Sequence, residues 1–293
     1  MPDQNELFGR KLRADLEIED ELWEAAVDMR GNIAPADYKH YVLPLVFLRY
    51  LSLRYEERRD ELETMVSDPD SPYYVEDQAI AEDILTDPDE YRSEGVFIIP
   101  EEARWDYLVR HAQDDDIKVK VDRAMELLES THAELGGVLP KIYAGSNLSK
   151  DNLSNLINLF SRKVFTGQGS NPADVLGRVY EYFITNFAST EGSRGGEFFT
   201  PRSIVQVLVS MIKPTEGVVY DPACGSCGMF VQAAEFTDNR DALSFYGQES
   251  IDTTLRLGKM NLLMHDLQGS LKLGDSLLND KHEGLKADYV IAN

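Results

Sequence analysis

Between Asp221 and Gly228 the chain reads Asp-Pro-Ala-Cys-Gly-Ser-Cys-Gly. A carboxylate is followed by residues small enough for a ligand to lie against the backbone, and a helix starting there would offer free N–H groups. The stretch is neither the dinucleotide pattern G-x-G-x-x-G nor a P-loop, because no lysine follows to meet phosphates. An aspartate at a strand end points instead to a ligand carrying an ammonium or hydroxyl donors. Glu249 lies about 28 residues further on, where a carboxylate can accept hydrogen bonds from both hydroxyls of a ribose. Asp275 could receive the exocyclic amine of an adenine ring. Each of the three taken alone has a plain reading, as a tight strand–helix turn or a solvated acid. Together they fall at the ends of successive expected strands, where open parallel sheets bind ligands.

The same stretch admits other chemistry. Cys224 and Cys227 form a C-x-x-C at a helix start, where thiolates are favoured, so a redox pair is one alternative. A zinc site needs about four ligands, and none of His40, His111, His132, His265 and His282 stands at ligand spacing from the pair; no metal is expected. An NAD-dependent enzyme is a further alternative, against which the missing glycine fingerprint counts.

The elements that must position these residues follow from periodicity. Val218 to Tyr220, Leu243 to Gly247, Leu271 to Leu273 and Tyr289 to Ile291 read as short strands. Met229 to Phe236 and Thr253 to His265 read as helices between them, the alternation of an open α/β sheet. The first half reads helical. Helices are expected over Asp20 to Met29, Ala36 to Arg59, Ile117 to Ser130 and around Leu153 to Phe160. Pro44 predicts a kink or boundary near Leu43. Ser67 to Pro100 is rich in Asp, Pro and Tyr and reads as loop, with Val96 to Ile99 as a candidate strand. Asn171-Pro172 and Thr200-Pro201 each read as a cap followed by a first-turn proline, opening helices that carry Val175 to Phe187 and Ile204 to Ile212.

Composition limits the partners. With 52 acidic against 29 basic residues, the formal charge is −23. That balance suits a solvated acidic surface or adaptation to high salt. It argues against unaided DNA binding, which draws on Lys and Arg, unless the basic surface lies on another part or on partner subunits. Two cysteines cannot build a disulfide framework, in keeping with a reducing compartment. No run of about 18 apolar residues is present, and Met1 to Glu6 is polar, so a cytoplasmic protein without a membrane span is expected.

The loop Asp221 to Phe230, DPACGSCGMF, resembles the S-adenosylmethionine loop of DNA adenine methyltransferases. Gly196 to Pro201, GEFFTP, resembles the motif that these enzymes place before it. Asp288 to Asn293, DYVIAN, is similar to the strand that leads into their Asn-Pro-Pro-Phe/Tyr. Leu22-Trp23-Glu24-Ala25-Ala26 with Arg30-Gly31, and Tyr38-Lys39 through Phe47 to Ser52, are similar to the amino-terminal helical domain of type I restriction–modification methyltransferase subunits.

The resemblance implies an all-helical domain over 1–165, then a Rossmann-like α/β methyltransferase domain over 166–293. The cofactor would be S-adenosylmethionine, held by Glu197, Phe198, Phe199, Thr200, Pro201, Asp221, Ala223, Cys224, Gly225, Ser226, Gly228, Glu249 and Asp275. Phe198, Phe199 and Thr200 would line its methionine side. Asn293 would be the catalytic residue, accepting hydrogen from the amine of a flipped adenine. The implied partners are DNA within a complex, a DNA-specificity subunit, a restriction or translocase subunit and a second methyltransferase subunit. Two departures stand out. Cys227 occupies a place where the family usually has a small residue, often Gly. The Pro-Pro-aromatic expected after Asn293 is not in the sequence, so the methyltransferase domain is expected to be incomplete at its catalytic motif, binding cofactor but inactive alone. A non-catalytic assembly fragment, and RNA or protein methylation, are the alternatives; the helical half favours DNA.

Overall fold

The computed structural model describes residues 19–31, 33–162, 172–190 and 199–293. The described residues hold eleven α-helices and four strands. Residues 19–28 form α1. There follow α2 (Pro35–Ser67), α3 (Gln78–Thr86), α4 (Pro88–Arg92), α5 (Trp105–Arg110), α6 (Ile117–Thr131), α7 (Lys150–Leu159), α8 (Pro172–Thr190) and α9 (Arg202–Ile212). Then β1 (Gly217–Asp221), α10 (Gly228–Phe236), β2 (Leu243–Glu249), α11 (Asp252–Met264), β3 (Gly269–Leu273) and β4 (Tyr289–Val290) alternate. A helical region followed by a parallel sheet with helices is the architecture that the periodicity predicts. Among the described residues no helix is long and apolar enough to cross a membrane.

The described residues fall into two compact units. One comprises those up to Pro44, 137–139 and 177 onward; the other comprises 45–136 and 140 to 176. In the second, Trp105 is a fully enclosed anchor. Its backbone N–H donates to Ser52 Oγ at 3.1 Å and its indole N–H to Ser161 Oγ at 2.8 Å. The Arg49 guanidinium lies 5.9 Å from the ring centroid and pairs with Glu56 at 3.0 Å. A buried aromatic thus has both N–H groups satisfied, as burial requires.

Three expectations are corrected here. First, α2 runs as one helix through Pro44 to Ser67, so no helix ends near Leu43, although the two compact units divide at Pro44. An interior proline costs about 3 kcal/mol, and here the cost is offset by the burial of Leu43, Leu45, Val46, Phe47 and Leu48, each 0 % exposed. Secondly, the acidic stretch after Ser67 holds α3 and α4. Asp77 and Asp87 cap them, accepting from Ala79 N at 2.8 Å and Asp89 N at 2.9 Å. The aspartates that suggested loop are helix starts. Thirdly, Val96 to Ile99 pairs with no strand among the described residues.

In the first unit the four strands form one parallel sheet in the order β3-β2-β1-β4. The register sets Asp221 of β1 beside Gly247 of β2, and Glu249 of β2 beside Leu273 of β3. The core of this unit gathers Val219, Phe230, Phe245, Leu255, Leu262 and Ile291. Elsewhere in the unit Trp23 of α1 meets Phe187 and Phe183 of α8 edge-on, with centroids 4.7 and 5.4 Å apart. Tyr38 donates its hydroxyl to Ala26 O at 2.6 Å.

Phe230 is 0 % exposed in this core, whereas Leu277 is 95 % exposed. Phe230→Ala is expected to cost about 3–5 kcal/mol and Leu277→Ala less than ~0.5 kcal/mol in urea denaturation. Equal losses would contradict the placement of this core.

Candidate functional site

Strand ends and the loops leaving them build a cavity of about 350 Å³. Its wall includes Phe199, Thr200, Asp221, Ala223, Cys224, Gly225, Ser226, Gly228, Glu249 and Asn293. Met229, Ser250 and Ile251 also line it. Of the residues expected from the sequence, Glu197 and Phe198 lie outside the described residues. Pro201 and Asp275 are not in the wall. Pro201 stands at the N-cap position of α9. Asp275 is exposed, and its Oδ1 accepts from Leu277 N at 2.9 Å and Leu278 N at 3.2 Å, so it caps its own turn after β3. Ser250 and Ile251 follow Glu249 directly, and the strand-end rule that marked the glutamate could have marked them too.

The loop after β1 is fastened at several points. Cys224 N donates to Gln248 O at 3.0 Å. Gly225 N donates to Glu249 Oε2 at 3.1 Å, and Ile251 N to Glu249 Oε1 at 2.9 Å. One carboxylate therefore ties the loop after β1 to the loop after β2. A carboxylate has about four acceptor positions, and among the described residues these two N–H groups are joined only by the Ser250 hydroxyl, at 3.3 Å. Glu249 keeps capacity for a ligand.

Close packing beneath the loop needs small residues. A Cβ on Gly247 would lie 2.9 Å from Cys224 Sγ and 2.8 Å from Leu271 Cδ2. A Cβ on Gly258 of α11 would lie 2.8 Å from both Cys227 Sγ and Gly225 O. Three residues on from Gly258, Asn261 donates its side-chain N–H to Ser226 O at 2.8 Å. Cys227 has φ +62°. That left-handed backbone explains why a glycine suits the position and why a cysteine there is strained, by about 1–2 kcal/mol. Its thiol is fully buried and Cys224 is 4 % exposed. Burial pushes the Cys227 thiol well above its ordinary range, and the neighbouring Cys224 adds to this. Redox exchange needs an accessible thiolate, so the buried pair is a packing element.

Asp221 is 1 % exposed. Its Oδ1 accepts from Ala223 N at 2.9 Å. Burial raises its carboxyl to about 7; the Ala223 hydrogen bond lowers it, and the charge of Glu249 raises it further. A concave site with two acidic groups suits a ligand with a cationic or hydroxyl-rich part.

Thr200 departs from its expected use. α9 begins at Arg202 with no side-chain cap. The Thr200 hydroxyl instead accepts from Asn293 Nδ2 at 3.1 Å.

Two outcomes follow. Because the folded Asp221 carboxyl titrates near 7 against an ordinary 3.8, the folded state holds a proton that the unfolded chain has lost between those values. Its contribution to stability therefore falls as pH rises from about 4 to about 7, by roughly 1.4 kcal/mol per unit at most. Asp221→Asn is expected to raise the melting temperature at pH 8 and to leave it nearly unchanged at pH 4; a pH-independent effect would contradict the burial cost. Gly258→Ala is expected to destabilise the protein by about 1–3 kcal/mol, measured by thermal denaturation. A neutral result would mean that α11 does not press on the loop.

Comparison with known proteins agrees with this geometry. Residues 171–293 match the N-6 DNA Methylase family model and residues 18–160 the HsdM N-terminal domain. The type I restriction enzyme MjaIX methylase subunit of Methanocaldococcus jannaschii is 42% identical over 94% of this chain, and the HindI methylase subunit of Haemophilus influenzae 40% over 59%. The chain spans about half the length of these curated relatives, 50% and 42%. Among solved structures, the type I restriction-modification methyltransferase subunit from Streptococcus thermophilus shares the fold with a TM-score of 0.73 at 22% identity, over 95% of this chain and 63% of its own. A modification subunit of a putative type I restriction enzyme from Vibrio vulnificus gives 0.54 at 17% identity, over 94% and 60%. With both of its regions matched in order, the chain joins an HsdM N-terminal domain to a domain of the N-6 DNA methylase family.

Proposed function

We propose that this chain provides the S-adenosylmethionine site of a DNA adenine-N6 methyltransferase subunit in a type I restriction–modification system. The observation that carries the reading is the convergence of Asp221, Glu249 and the small residues of the loop after β1 on one cavity that Asn293 also lines. The donor set fits the cofactor. Glu249, with its remaining acceptor capacity, takes ribose hydroxyls. Asp221 takes the ammonium of the amino-acid tail. The exposed side chain of Ile251, 42 % accessible beside Glu249, offers an apolar face for a ring. Phe199, Thr200, Ala223, Cys224, Gly225, Ser226 and Gly228 complete the walls. Asp275 contributes through the turn that it caps. When bound, S-adenosylmethionine supplies the methyl group.

The exocyclic amine of adenine is a poor nucleophile because its lone pair is delocalised into the ring. In this reading Asn293 accepts a hydrogen from that amine, which localises the lone pair on nitrogen. The target base must leave the helix stack to reach the site. Beyond that hydrogen bond the protein contributes alignment and electrostatics. We assign cofactor binding to residues 166–293 and assembly to the helical domain 1–165. The partners would be a DNA-specificity subunit, a restriction or translocase subunit and a second methylase subunit, within the cytoplasm. They would supply the basic surface that a chain of charge −23 lacks for gripping DNA.

Calorimetric titration with S-adenosylhomocysteine tests the site. Binding is expected, with Asp221→Ala and Glu249→Ala each weakening it by more than about tenfold. Because a cationic ligand needs Asp221 ionised, and the empty site titrates near 7, wild-type affinity should fall about tenfold from pH 8 to pH 6. Binding of NAD with no binding of S-adenosylhomocysteine would overturn the proposal.

A further inference from the structure

We infer that Thr200 is a positioning residue for Asn293, holding its side-chain amide in the cavity wall where the adenine amine is to be met. The inference rests on the proposed adenine-N6 transfer and adds to it a role for a hydroxyl 93 positions away in sequence. Three observations converge. The sequence pattern Thr-Pro before a helix signals an N-cap, yet α9 begins without a side-chain cap, and two amides of its first turn, Ile204 N and Val205 N, bond to Pro201 O at 2.9 and 3.1 Å. The hydroxyl is thus not spent on the helix. It accepts instead from Asn293 Nδ2 at 3.1 Å. Both residues line the cavity that also holds Asp221 and Glu249.

An asparagine amide carries a donor on one branch and an acceptor on the other. The two branches are similar in size, so packing alone discriminates poorly between the amide and its half-turned form. Adenine's amine needs the acceptor; the half-turned form would present N–H groups to N–H groups. A hydroxyl can donate as well as accept, so the contact with Thr200 fixes where the Asn293 side chain sits; with Nδ2 engaged on that hydroxyl, Oδ1 is left for the substrate. Thr200 accordingly acts on the transfer step through Asn293.

The test uses the methylase subunit assembled with its specificity subunit on cognate DNA. Thr200→Val keeps the shape and removes the hydroxyl, while Thr200→Ser keeps the hydroxyl. Single-turnover methyl transfer is measured with cofactor and DNA saturating, and S-adenosylhomocysteine affinity is measured on the same preparations. Misorientation in a site of this kind costs on the order of 10–100-fold in rate. Thr200→Val is expected to lose about that much rate with a clearly smaller loss of affinity, as one wall residue of the cofactor site, and Thr200→Ser to recover most of the rate. An unchanged rate in Thr200→Val would overturn the inference. So would a loss of affinity matching the loss of rate, which would make the hydroxyl a cofactor contact. A wild-type complex that binds S-adenosylhomocysteine but transfers no methyl group to adenine would remove the underlying reading, and this inference with it.

Discussion

The site depends on a single carboxylate that serves two loops. Glu249 stands at the carboxyl end of β2 and accepts Gly225 N–H from the loop after β1 and Ile251 N–H from the loop after its own strand. Both amides are buried or half-buried, and leaving such a donor unpaired costs about 1–3 kcal/mol. The charge is also 6 % exposed, so it too needs these donors. Loop and carboxylate stabilise one another, and their meeting place is the wall of the cavity.

Around this contact the chain has removed bulk. Gly247 makes room for Cys224, and Gly258 brings α11 against Gly225 and Cys227. Asn261 then secures Ser226 from below. Asp221 runs against this economy. It is buried beside Glu249 with one backbone donor, and burial raises its carboxyl to about 7. Such a group destabilises the empty protein near neutral pH, and a cationic ligand would relieve the cost. Perturbed acids in clefts often mark functional sites for this reason.

Strand ends were the most legible part of the sequence. β1, β2 and β3 end at or beside Asp221, Glu249 and Leu273 because short apolar runs and glycine-rich turns fix parallel strands locally. Tertiary events were less legible. The spacing of Glu249 from the loop could not show that its oxygens hold Gly225 and Ile251. Asp275, alike in position, turned to its own backbone. Thr200-Pro201 carried a capping pattern, yet the hydroxyl found a partner from β4's far end. Cys227 looked like a loss of glycine; its φ of +62° shows that the backbone kept the glycine conformation. In the helical region, Asp77 and Asp87 are favoured in loops and caps alike, and neighbouring prolines hid α3 and α4.

A crystal structure of the protein with S-adenosylhomocysteine tests the central claim most directly. The account places both ribose hydroxyls within hydrogen-bond distance of Glu249 and the ligand's amino group against Asp221, with the Gly225–Glu249 bond intact. A ligand seated away from Glu249, or a loop that releases Gly225 to admit it, would contradict the account.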